Sequence, residues 1–111
     1  MLSGNQQNTI PLKYVALKTI QAKGHAYNED ITKVVLAAQK EGVPLGGINY
    51  HYTPGGPCSP EVQTVMSMLL DQAEIEELSP AKITPKGFSR LQHMEKAFQG
   101  KTNQLDKVIL K

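Results

Sequence analysis

A chain of 111 residues, 40% apolar and 20% charged, has material for one compact domain and a core of moderate size. The longest apolar run, VVLAA at 34–38, is far short of the roughly 20 residues that a membrane span needs. A single cysteine excludes an intrachain disulfide. Residues 1–9 are polar and do not read as a secretory leader, so cytoplasmic is the expected location.

The net charge of +2 is unevenly placed. Residues 1–57 carry +2, residues 58–78 carry −5 with no Lys or Arg, and residues 79–111 carry +5. An acidic middle followed by a basic end can steer charged partners.

In chain order, residues 1–9 read as a flexible tail, with Asn8 or Thr9 available as a helix cap. The pattern predicts a first helix over 11–23, with Pro11 in its first turn and Leu12, Val15, Ala16 and Ile20 on one stripe widened by Leu17. Gly24 ends it. A second helix over 28–41 is capped by Asn28, has Glu29 and Asp30 at its positive end, and closes at Gly42. Its inward stripe is Ile31, Val34, Val35 and Ala38.

Ile48, Tyr50 and Tyr52 alternate with polar residues, predicting a short half-buried strand over 48–52. Pro54-Gly55-Gly56-Pro57 then predicts a turn. A third helix over 59–73 has Ser59 as cap, Pro60 at its first position and Glu61 in its first turn. Residues 75–78 and 82–84 predict a small β wing around Ser79-Pro80-Ala81. Thr84 caps a fourth helix over 85–98, spaced on Phe88, Leu91, Met94 or Glu95, and Phe98. The predicted fold is mainly α with a small β wing (α+β), a winged helix-turn-helix occupying 10–99. The tail 100–111 fits a strand, a fraying end, or a docking or dimerisation segment.

The segments GGPCSPE, AEIEE and KITPKGFSRL resemble the Panacea and YwgA-like antitoxin-related families over about residues 11–98. Those families share a Tyr-x-Gly-Pro-x-Ser-Pro-Glu segment before a helix, a Gly-Leu-Ile-like exit and a Leu-Thr-x-x-Gly start to the last helix. The matching positions are Tyr52, Gly56, Pro57, Ser59, Pro60, Glu61, Ile75, Ile83, Thr84 and Gly87. Ile-Thr-Pro-Lys-Gly is also similar to PadR-like and multidrug-resistance-type regulators. Two departures stand out: Ala73-Glu74 occupies the place of the usual glycine, and Cys58 replaces an aromatic residue. The resemblance implies a winged-helix scaffold with toxin–antitoxin or regulatory roles, and not an enzyme.

Two functional readings follow. In the first, the chain is a DNA-binding transcriptional regulator acting as a homodimer on double-stranded DNA. Ser59, Glu61, Gln63, Thr64 and Ser67 on the third helix would meet bases, and Lys82, Lys86 and Arg90 would meet phosphates. Phe98, Leu105, Val108, Ile109 and Leu110 would join the two copies. Lys13, Lys18 and Lys23 would add charge if they faced the same way, and a scattered solvated surface is an equal account of this basic charge. In the second reading, an acidic third helix without one cation marks a protein-interaction module of the antitoxin or adaptor kind, binding a protein such as a toxin.

Tyr50 and Tyr52 serve either as core or as an interface anchor, with core expected for at least one. Cys58 before a helix cap fits a redox switch, but more often such a residue is inert. His25, His51 and His93 share no metal-ligand spacing, and no catalytic constellation, cofactor motif or phosphate loop is present in the sequence. No cofactor, metal or membrane partner is expected.

Overall fold

The computed structural model describes residues 10–43, 45, 48–77, 80–97 and 103–109. These form five helices and one two-stranded antiparallel sheet: α1 (Leu12–Lys23), α2 (Asn28–Lys40), β1 (His51–Thr53), β2 (Gly56–Cys58), α3 (Pro60–Asp71), α4 (Pro85–Ala97) and α5 (Asn103–Ile109). The architecture is α+β and mainly helical.

The first helix is the hub. It touches α2, α3, α4 and α5, and buries Tyr14, Val15, Ala16, Leu17, Thr19 and Ile20. The expected single stripe is therefore too narrow, because neighbours enclose α1 on nearly all sides. Lys13 and Lys18 escape only partly, and each reaches an acidic partner.

Helix α2 keeps its predicted stripe of Ile31, Val34, Val35 and Ala38. Its cap is Tyr27, whose N–H donates to Asp30 Oδ2 at 2.9 Å, and not Asn28. Asn28 is instead buried in the first turn, for a reason given below. Gly42 ends the helix at φ 86°, with Val43 N–H reaching back to the Ala38 carbonyl at 3.0 Å.

The same closing motif recurs at the end of α3 with an alanine in the glycine's place. Glu74 N–H donates to Leu69 O at 2.8 Å and Ala73 N–H to Leu70 O at 3.0 Å, which forces Ala73 to φ 60°. A Cβ in that region costs about 1 kcal/mol relative to glycine. Ala73→Gly should therefore raise the unfolding free energy by about 1 kcal/mol in urea titration, and an unchanged midpoint would show that the backbone there is relaxed.

The sheet differs from expectation. Strand pairing begins at His51 rather than 48, and Gly56 and Pro57, read as turn, form the return strand with Cys58, Tyr52 lying opposite Pro57. Only Pro54 and Gly55 turn the chain, and Thr53 Oγ1 holds that turn by donating to Gly56 O at 2.9 Å. Asn49 is excluded from the ladder because Glu61 binds both its N–H and its side chain, at 2.9 and 3.1 Å. Gly55 is a turn residue as read, whereas Gly56 opens the return strand at φ 125°.

The predicted wing over 75–84 is reduced to single bridges: Ile75 pairs with Ile83, and Ala81 pairs with Ala26, the link between α1 and α2. Ala26 N–H to Ala81 O and the reverse bond measure 3.0 and 2.8 Å. Ser79 at the wing tip lies outside the described residues.

Thr84 caps α4 as predicted, accepting from Gly87 N–H at 3.0 Å. The inward residues of α4 are Gly87, Leu91 and Met94, while Phe88 faces outward and is 42% exposed. The expected spacing through Phe88 is thus rotated, because glycine is what the crowded approach to Glu74 admits. Phe98 and the caps proposed at Asn8 or Thr9 lie outside the described residues.

Within 100–111, residues 103–109 form α5, packed on α1 and α2. Leu105 and Ile109 are buried in the chain's own core and Val108 is half-buried, so the first two are not free to join a second copy. Leu110 lies outside the described residues.

Candidate functional site

The N-terminus of α3 is where three segments meet. Ser59 is fully buried, and its hydroxyl accepts from Val62 N–H at 3.3 Å while donating to Glu61 Oε1 at 3.0 Å. Its backbone is gripped by the Asn28 side chain: Asn28 Nδ2 donates to Ser59 O and Asn28 Oδ1 accepts from Ser59 N–H, both at 3.0 Å. Thr32 Oγ1 completes the cluster at 2.9 Å from Asn28 Oδ1. A primary amide has the same donor and acceptor pair as a peptide group, so Asn28 imitates one rung of a sheet between α2 and α3. This is why asparagine sits inside the first turn instead of capping it.

Glu61 then ties the approaching chain to the helix start. The Asn49 N–H bond is the main reason its carboxyl is held below the ordinary glutamate range. Partial desolvation opposes that shift, and the Asn49 side chain and the Ser59 hydroxyl add to it.

The other residues expected to read bases are also engaged. Gln63 Oε1 accepts from Asn28 Nδ2 at 3.3 Å, Thr64 Oγ1 donates to Pro60 O at 3.0 Å, and Ser67 is half-buried. A helix that reads a groove needs side-chain donors and acceptors directed outward. Here Ser59 and Glu61 hold the domain's own backbone and side chains, while Gln63 and Thr64 make such bonds and stay exposed.

The predicted phosphate contacts Lys82, Lys86 and Arg90 are all exposed, and Arg90 Nε lies 3.6 Å from Glu74 Oε2. Glu74 is fully buried, with Lys13 Nζ 4.0 Å from the same oxygen. Among the described residues neither of its carboxylate oxygens has a hydrogen-bond partner, so the two nearby cations offset the cost of burying the charge. The sequence reading missed this inward glutamate, grouping it with the acidic exit of α3. The left-handed turn at Ala73 is what swings it in, and the absent glycine was the available signal. Lys18 is likewise joined to Glu95.

Apolar and aromatic side chains are exposed as well. Tyr50 and Tyr52 are 47% and 75% exposed, so neither joins the core, contrary to the expectation for at least one. Their rings meet edge to face, with centroids 5.8 Å apart at 82°. Met68 on α3 is 48% exposed.

Cys58 is half-buried at the end of β2, opposite the exposed His51. Among the described residues, no three His, Cys, Asp or Glu side chains gather as metal ligands would. Lys23, Asp30, Lys33, Val34, Ala37 and Val108 line an open cleft of about 250 Å³, below the usual size of a small-molecule pocket. Among the described residues, no helix is long and apolar enough to cross a membrane. Comparison of the chain with family models, with curated proteins and with solved structures finds no match.

Proposed function

We propose that the chain is a protein-interaction module of the antitoxin or adaptor kind, on a winged-helix scaffold and without enzymatic activity. Its docking face is the Tyr50–Tyr52 hairpin together with the outward side of α3. The carrying observation is the exposed, mutually packed tyrosine pair on a segment fastened at its root by Glu61. Aromatic side chains offer large contact area with few rotatable bonds, and fastening them beforehand lowers the entropy lost on docking. The winged-helix reading is supported by the order α1, Ala26 bridge, α2, α3, then the bridged segments at 75 and 83. The resemblance to antitoxin-related families points the same way, to a toxin-like partner in the cytoplasm.

The second reading, a DNA-binding regulator, retains the exposed Lys82 and Lys86 beside the start of α4. One set of variants separates the two. Tyr50→Ala with Tyr52→Ala should abolish recovery of a specific protein in quantitative affinity capture from the source cell. Its melting temperature should stay close to that of the parent, because both side chains are surface groups. Lys82→Glu with Lys86→Glu should leave capture intact. Salt-sensitive duplex binding in fluorescence anisotropy, lost in the lysine variant and kept in the tyrosine variant, would overturn the proposal in favour of the regulator.

A further inference from the structure

Once the pairs made within the chain are set aside, the charge left at the junction of α3 and α4 falls into two adjoining groups of opposite sign. Glu74 is matched by Lys13 and Arg90, and Lys13 Nζ also donates to Gln72 Oε1 at 2.9 Å. Glu95 is joined to Lys18, and Glu61 is taken up by Asn49 and Ser59. Asp71, Glu76 and Glu77, at the end and exit of α3, remain exposed with no ion-pair partner among the described residues. The same is true of Lys82 and Lys86 about the start of α4, and of Lys96 further along it. The two groups share a border: Glu76 N–H donates to Lys82 O at 2.9 Å, Ile75 is bridged to Ile83, and the Glu74 carbonyl lies against Gly87. An exposed apolar side chain accompanies each group, Met68 on α3 at 48% and Phe88 in the opening turn of α4 at 42%.

We infer that this junction is a self-complementary surface that receives a second copy of the chain. A two-fold axis through the border sets the carboxylates of one copy against the lysines of the other, and every pairing is made twice. The same rotation brings Met68 of each copy toward Phe88 of the other, a thioether against an aromatic ring. A partner of one charge sign, basic or anionic, would satisfy one group and be repelled by the other. A surface with both signs side by side satisfies both, and this chain presents one. The tyrosine hairpin is fastened at the far end of α3, about 18 Å along the helix, and stays free for a different protein.

Sedimentation velocity of the full chain over a concentration series is the test. A dimer should form in low salt, and its dissociation constant should rise roughly tenfold in about 0.5 M salt, because exposed charges are screened. Asp71→Lys with Glu77→Lys should lose the dimer, and so should Lys82→Glu with Lys86→Glu. Mixing these two double variants should restore association as a heterodimer, since the cationic junction of one meets the acidic junction of the other. Each variant should keep the parent's thermal transition, because every replaced side chain is exposed. A chain that is monomeric in low salt at every concentration, a dimer indifferent to salt, or mixed variants that fail to associate would overturn the inference. A monomer that instead bound labelled duplex through Lys82 and Lys86 would overturn it in favour of nucleic acid as the occupant of the basic group.

Discussion

Gly87→Ala is expected to lower the unfolding free energy by about 3 kcal/mol, at the upper end of ordinary overpacking costs. Gly87 sits at the third position of α4, where alanine would otherwise favour the helix. A Cβ built there falls on the Glu74 carbonyl oxygen, and within 2.9 Å of its carbonyl carbon and 3.0 Å of Ile83 Cγ1. None of these atoms is the loose end of a side chain. Glu74 O is already fixed by accepting from Thr84 N–H at 3.1 Å, and Thr84 Oγ1 donates to Ala73 O at 2.6 Å. Relief would require α4 to withdraw from the end of α3, carrying Arg90 away from Glu74. Thermal denaturation should register a fall of about 12–20 °C in Tm, with Ser89→Ala, on the exposed side, as a near-silent control. A Tm unchanged in Gly87→Ala would mean that α4 is not seated on this crossover.

Asn28→Ala should cost about as much, roughly 3 kcal/mol, by stranding a buried N–H at Ser59 and the Thr32 hydroxyl. Asn28→Asp is the sharper probe. It preserves size and the acceptor for Ser59 N–H, but sets a carboxylate oxygen against the Ser59 carbonyl, where Asn28 Nδ2 now donates. At neutral pH it should be nearly as unstable as the alanine variant. Relative to the parent it should recover in mild acid, because a protonated carboxyl regains a donor. Chemical denaturation at two pH values measures the difference. Equal stability of parent and Asn28→Asp at neutral pH would remove the rung-like role of this side chain.

These two sites show where the sequence was readable and where it was not. Helix ends were legible because their signals are local: Ser59 with Pro60, Thr84 with Pro85, and Gly42 each act within one turn of their own position. Asn28 misled for the same reason. Its type suits a cap, and only the arrival of Ser59 from 31 residues away turns it into a clasp between helices.

The aromatic pair shows a related limit. Alternation at 48–52 signals a strand that the structure pairs only from His51, and period two does not say which face is inward. Glu61 decided the matter by holding Asn49 at the helix start. The candidate site was visible only as an acidic helix beside two tyrosines. That Glu74 leaves this surface while Glu61 remains on it follows from a backbone turn that no periodicity encodes.

The central position of α1 bears on how the chain comes to be folded in a cell. Among the described helices α1 is made before the others, each of which packs on it, α5 included. Until α5 has emerged, Leu17, Ile20 and their neighbours lack part of their final enclosure. Closure of that interior therefore waits on contacts distant in sequence, which slows folding and leaves nascent chains sticky for longer. Synthesis rate and chaperone supply should matter more to the yield of this small domain than its length alone suggests.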